Sequence, residues 1–319
     1  MRVRGTLEQE FQTGIQTNFH AAQYNPAMTQ VPIKVLLQTT IPTATDDWSI
    51  ARFSLLGQFL RDQQRNGKPL FDVTMRDREE LGAPDSVLSR LDQSDYDEMW
   101  LFAVDAGNHL TPADCAAISR FRSQGRGLLV TRDHMDLGTS ICDLEGVGAA
   151  HHFHSRNLDP DPARRTLDDS ATTYISWPNF HSGANGDYQE IRAIAPLHPV
   201  LVNPKSPTGA VRFLPAHPHE GDVSAPRNQG ARVIAEGTSK ATGRPFNIAV
   251  AFEPNSGAGP AIAESSFHHF VDYNWDVRRS APSFVSEPPG ESMAREPNAL
   301  LDTHRYVLNV ALWLAGSAS

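Results

Sequence analysis

From Ile33 to Thr39 the chain runs almost unbroken through apolar positions, the length and pattern of a buried strand. Behind it, Asp46, Asp47 and Ser49 offer caps for a helix in which Ile50, Phe53, Leu56 and Leu60 recur at helical spacing, with Leu55 and Phe59 widening the stripe. Segments 70–77 and 97–105 read as the second and third strands, the third apolar enough to be covered on both faces. Thr111-Pro112 opens a second helix with a hydroxyl cap and an N1 proline; the glycines of "SQGRG" (123–127) stop it before a fourth strand, "GLLVT" (127–131). Strands alternating with helices predict a doubly wound α/β fold, its sheet mostly parallel with helices on both faces.

After Gly146 the periodicity loosens into short strands, proline-rich turns and polar loops, which predicts a loop- and β-rich insertion at about 146–230. Regular pattern returns with a hairpin over 231–253 around "TSKATGRP" and a strand over 260–266. A proline-rich loop (287–297) follows, and a closing helix over 300–315 carries Leu300, His304, Val307, Leu308, Ala311 and Leu314 on one side. Residues 1–30 are polar and aperiodic, so they read as an N-terminal extension to one domain, 31–319, whose own start is expected near Met28.

Composition narrows the partners. A net charge of −9 without a Lys/Arg run disfavours nucleic acid, because phosphate binding needs a dense basic face. With 39% hydrophobic and 20% charged residues the chain reads as soluble and globular. No stretch approaches the ~18–20 apolar residues of a membrane span or the apolar core of a secretory signal. The expectation is a cytoplasmic protein with a small-molecule substrate and no membrane partner, free to form a homo-oligomer. Cys115 and Cys142 are too few for a disulfide framework or an all-cysteine metal site.

In an open parallel sheet, ligands bind beyond the carboxyl ends of the strands. Just past the expected strands stand Asp46 and Asp47, then Asp105, then Asp133 and His134, then His268, His269 and Asp272. Asp105, Asp133, His134, His268 and His269 are therefore the candidate catalytic residues, and Asp47, Trp48, Asp272 and Trp275 the candidate substrate contacts. "HHFHS" (151–155), if extended, puts His152 and His154 on one face at a spacing that reaches one metal ion, with His134 as a further ligand; a divalent ion such as zinc suits imidazole and carboxylate. "HPHEGD" (217–222) offers His217, His219, Glu220 and Asp222, on a segment whose proline makes it a loop. The elbow "VTRDHMD" (130–136) has an Asp-His pair where a hydrolase of the nucleophile-elbow type would carry Ser or Cys between glycines. That pair suits acid/base work or metal ligation rather than acyl transfer.

The chain resembles the ThuA-like (trehalose utilisation) branch of the class I glutamine amidotransferase-like superfamily. The resemblance is carried by "KVLLQTT", "LDQSDYDEMWLFAVDAGNHLTPADCAAISRFRSQGRGLLVTRDH", "HPVL" (198–201), "GRPFNIAVAFE", "AIAESSFHHF" and "YVLNVALWLAG", which span roughly 31–315. It implies a flavodoxin-like fold. The family's "GGG-x-hydrophobic-H" segment falls on "GRGLLVTRDH" and carries His134; its "GH" after the last core strand falls on His268 or His269. The amidotransferase cysteine is missing, which argues against glutamine hydrolysis.

Two functions follow from these residues. One is a small-molecule enzyme performing acid/base or metal-assisted hydrolysis or isomerisation of a sugar-like or other polar substrate. The other is a non-catalytic ligand-binding or assembly module in which Trp48, Trp177, Tyr273 and Trp275 stack on sugar rings or pack at an interface.

Overall fold

A computed structural model describes residues 31–165, 168, 175 and 180–316 of the chain. The expected extension (1–30, with Met28) and Trp177 lie outside the described residues. The main strands are β1 (Ile33–Pro42), β2 (Phe71–Arg78), β3 (Glu98–Phe102), β4 (Gly127–Thr131), β5 (Arg192–Ala193), β6 (Ala231–Thr238), β7 (Pro245–Phe252) and β8 (Ala261–Glu264). They form one eight-stranded sheet in the order β2-β1-β3-β4-β8-β7-β6-β5. The first five in that order run parallel, and β7, β6 and β5 continue the sheet antiparallel. The parallel part has the flavodoxin-like order, which reverses direction between β1 and β3 and so opens a crevice at their carboxyl ends.

Alternation along the strands builds the two layers. Val35, Leu37, Trp100, Phe102 and Leu129 pack against Phe53, against Leu56 and Leu60 of α1 (Ser54–Arg61), and against Tyr306, Val307 and Val310 of α3 (Pro297–Leu314). Their neighbours Leu36, Met99, Leu101, Leu128 and Val130 face the opposite way, onto Cys115, Ile118 and Phe121 of α2 (Pro112–Ser123). This is the period-2 geometry of a strand covered on both sides. Each fully buried Leu or Phe contributes roughly 1.5–3 kcal/mol.

Helix α2 begins as its sequence predicts: the Thr111 hydroxyl accepts from the Asp114 amide, and the Asp114 carboxylate accepts from the Thr111 amide at 2.9 Å. The first helix differs. Ile50–Phe53 is a 3₁₀ turn, and the side chains of Asp46, Asp47 and Ser49 do not cap it. Asp46 instead accepts from the amide and hydroxyl of Ser283, and Asp47 from the amide of Trp48. Carboxylates distant in sequence take over: Asp77 accepts from the Ile50 amide (2.6 Å), and Asp272 from the Leu55 amide (2.8 Å) and the Ser54 hydroxyl. The 287–297 segment, expected as a loop, contains a short helix, Ser292–Arg295. No helix among the described residues is long and apolar enough to cross a membrane.

Candidate functional site

Three chain crossings converge at the carboxyl end of the sheet. Past β4 the chain turns sharply through Asp133, His134 and Met135, the last at φ 49°, a left-handed conformation uncommon for a side chain of its size. Arg132, fully buried, pins this elbow: its guanidinium donates to the main-chain oxygens of Asp133, Met135 and Asp222 and lies 4.0 Å from the centroid of the Phe153 ring. Past β8, the Phe267 amide donates to the Arg132 carbonyl, which docks the Phe267–His269 turn on the elbow, while the Ser266 hydroxyl accepts from the His268 amide. The third crossing is the 180–220 region, where the Ser182 hydroxyl accepts from the His217 amide at 2.8 Å.

These crossings put Asp133, His217 and His268 together. One ligand atom from each lies within 4.8 Å of the other two, and all three residues are buried. The imidazoles of His217 and His268 stack with centroids 3.5 Å apart, and His219 stands edge-on to both His217 (5.5 Å) and His134 (5.3 Å). Burial pushes His217 and His268 well below the ordinary histidine range, and pushes His134 down to about 4. These rings are therefore neutral at pH 7, the form that ligates metal. Burial raises the Asp133 carboxyl to about 7, against the pull of the His134 amide it accepts from, so a cation placed here would find a carboxylate lacking sufficient positive charge around it.

The hydrogen bonds around His268 assign its tautomer. Asn274 uses its amide nitrogen on Asn185 Oδ1 (3.0 Å) and the Ala216 carbonyl (2.8 Å), so its Oδ1 accepts from His268 Nδ1 at 3.2 Å. His268 Nε2 then holds the lone pair, the arrangement by which outer partners orient a metal-binding histidine. His217 Nδ1 lies 3.3 Å from the His219 amide, a long contact that must open if Nε2 takes an ion. With metal bonds of about 2 Å, three ligand atoms this close collect on one ion after small side-chain rotations.

The group faces a cavity of about 460 Å³ lined also by Asp47, Trp48, Asp105, His134, His219 and Glu287. Five residues expected at the sheet edge, Asp47, Asp105, Asp133, His134 and His268, thus share one cavity with Trp48, an expected substrate contact. Asp105 is 1% exposed, and its carboxylate accepts from the Gly107 amide (2.8 Å), which makes it the anchor of the loop after β3.

Other expected residues lie elsewhere. His269, fully buried, is held between Glu264 (Nδ1 to Oε2, 2.9 Å) and Glu220 (Nε2 to Oε1, 3.3 Å), with the Tyr306 hydroxyl donating to Glu264. Burial works against its charge, yet the two carboxylates raise it to about 10. It is a buried cation, unsuited to acid/base exchange near pH 7. Asp272 caps α1, and burial raises its carboxyl pKa. Trp275 donates its indole N–H to the His269 carbonyl and lines a different groove, beside α1 and α3.

The structure likewise does not bring His152 and His154 to His134. The extended pairing of this segment stops at His152, opposite Asp222. His152 Nε2 is bonded to the Ser224 hydroxyl at 2.6 Å beside a separate cavity, and His154 is exposed. The histidine that stands beside Asp133 and His268 is instead His217. Its signal was the "HPHEGD" loop, where the proline identified the turn but no periodicity could show which sheet edge it returns to.

No protein-family model matches the chain, and no curated protein does. Among solved structures, it is similar to a ThuA-like protein from Parabacteroides merdae, at 15% identity over 91% of this chain and 92% of that one, with a TM-score of 0.49. It is similar also to the glutaminase domain of a Trypanosoma brucei CTPS solved with bound acivicin, at 15% identity over 88% and 93% of the two chains, TM-score 0.44. A further likeness is to a GMP synthase protein from Thermoplasma acidophilum, at 6% identity over 88% and 95%, TM-score 0.37. All three TM-scores lie below 0.5, and no role is read from these likenesses.

Proposed function

We propose that the chain is a metal-dependent hydrolase of a small polar molecule, with a zinc-type ion held by Asp133, His217 and His268. The observation that supports this most is the convergence of those three buried side chains on one cavity wall at the crevice of the sheet. A zinc ion held by these two imidazoles and one carboxylate would supply an activated water. Asn274 orients His268, and Arg132 holds the elbow that presents Asp133. His134, neutral and at the cavity wall, is placed to hold water or substrate by a hydrogen bond. At about 460 Å³ the cavity falls in the size range of small-molecule sites.

The test is turnover by zinc-reconstituted protein against a panel of small amides and esters of sugars and polyols. Hydrolysis that falls at least 100-fold in Asp133→Asn and in His134→Gln supports the reading. Stoichiometric zinc with no turnover of any panel member assigns the site to binding alone.

A further inference from the structure

The "HHFHS" segment, which the zinc site leaves unused, belongs to a second group of side chains. His151–His152 pairs antiparallel with Asp222–Val223, Asp222 opposite His152, and the next residue extends the ladder: the Ser224 amide donates to the Ala150 carbonyl at 2.8 Å. Ser224 is thereby fixed beside His152, its hydroxyl 2.6 Å from His152 Nε2. Asn157, left-handed at φ 46°, folds the following loop back, its side-chain nitrogen donating to the carbonyls of Ala149 (3.2 Å) and His151 (2.7 Å). The Asn157 carbonyl then lies 2.7 Å from His152 Nδ1.

These bonds assign the ring. A carbonyl oxygen only accepts, so Nδ1 carries the proton and Nε2 holds the lone pair that receives the Ser224 O–H. A hydroxyl bonded to a base that a third group orients is the arrangement of an activated nucleophile. Burial lowers the His152 pKa, so the ring is neutral at pH 7 and able to take a proton. The Asp159 carboxylate stands 3.7 Å from Nε2, the nitrogen at which that proton arrives. Burial opposes its charge, yet the forked bonds from Arg164 (2.7 and 2.9 Å) and the Asp161 amide (2.6 Å) keep Asp159 below the usual carboxylate range. An imidazolium formed here gains from that fixed charge. His152 and Ser224 both line a groove of about 860 Å³, and Ser224 is half-buried, so its oxygen is reachable from the groove.

We propose that Ser224 and His152 form a second reactive centre, a nucleophile and its general base acting on small carboxylic esters. The Ser224 oxygen bonds to the ester carbonyl carbon as its proton passes to His152 Nε2. The intermediate collapses, the bond to the alcohol oxygen breaks, and the leaving alkoxide takes the proton from His152. Water then attacks the acyl-serine, giving a proton to His152; the carboxylic acid leaves, and that proton returns to the Ser224 oxygen. Arg227, exposed on the same groove wall and paired with no carboxylate among the described residues, supplies positive charge to the developing oxyanion. None of Asp133, His217 and His268 takes part.

The test uses the chelator-treated full chain, in which the zinc site is silent. An alkyl fluorophosphonate, which phosphonylates activated serines with loss of fluoride, labels Ser224 at least ten-fold faster than any other serine, as mapped by peptide mass spectrometry. Loss of the general base in His152→Gln slows that labelling by about 100-fold or more, and Arg227→Met slows it at least five-fold. Hydrolysis of p-nitrophenyl butyrate falls at least ten-fold when Ser224 is blocked by the label. Labelling spread over surface serines, a rate unchanged in His152→Gln, or hydrolysis that persists after blocking overturns the proposal; an unchanged rate in Arg227→Met overturns the role given to that residue. The site mapping needs no variant, so a substitution that impairs folding does not protect the proposal. Failure of zinc to bind strikes the metal reading and leaves these readouts intact.

Discussion

Replacing His269 by Gln removes the one cation from a fully buried set of acids, and the consequence for stability follows from the geometry. The ring sits 2.9 Å from Glu264 and 3.3 Å from Glu220, all three side chains without solvent exposure. Glu220 also accepts from Ser182 (2.8 Å), Gln189 (2.6 Å) and Ser265 (2.7 Å), so it stays in place when the histidine is gone. Burial alone would raise its pKa; His269 is the main opposing influence that keeps it low. His269→Gln leaves two carboxylates facing each other across a neutral amide, and removing one partner of a buried ion pair costs about 3–5 kcal/mol. Urea unfolding followed by tryptophan fluorescence measures the loss. Adding Glu220→Gln relieves the stranded charge and restores about 1–3 kcal/mol, because a buried acid without a counter-charge is worse than a buried amide. A loss below about 1 kcal/mol in His269→Gln, or no recovery in the double variant, refutes the assignment of His269 as a structural cation.

Asp272→Ala removes the acceptor at the start of α1 and lowers stability by about 1 kcal/mol, the usual worth of a helix cap, with zinc affinity unchanged; calorimetric unfolding and a zinc titration read the two quantities. His304 stacks on Phe59 at 4.3 Å, and burial lowers it to about 4. Because its folded pKa lies below the unfolded value of about 6.5, the unfolded chain takes up the proton first. The stability it confers is complete above pH 6.5 and is lost as pH falls through about 4, on the order of 2 kcal/mol after allowing for its partial exposure. In His304→Phe, urea midpoints measured between pH 7 and 4 therefore fall less than in the wild type.

The parallel half of the fold was legible because its information is local: apolar runs of strand length, a capping box at Thr111 and glycines at 125 and 127 mark the elements directly. The caps of the first helical segment were not, since the acceptors, Asp77 for the 3₁₀ turn and Asp272 for α1, come from other parts of the chain. The sheet-edge rule collected Asp47, Asp105, Asp133, His134 and His268 because each follows a strand whose end could be read. It could not choose between His268 and His269, adjacent residues whose directions are set by the turn after Ser266. His217 was out of its reach for a different reason: it returns to the crevice from an irregular segment, held by Ser182 rather than by a sheet ladder.

Zinc titration calorimetry on the chelator-stripped full chain tests the central claim, that Asp133, His217 and His268 form one metal site. The account predicts one ion per chain, bound at micromolar affinity or tighter, weakened at least 100-fold in His217→Ala and in His268→Ala, and little changed in His152→Ala. Absence of stoichiometric binding, or equal binding by all three variants, would contradict it.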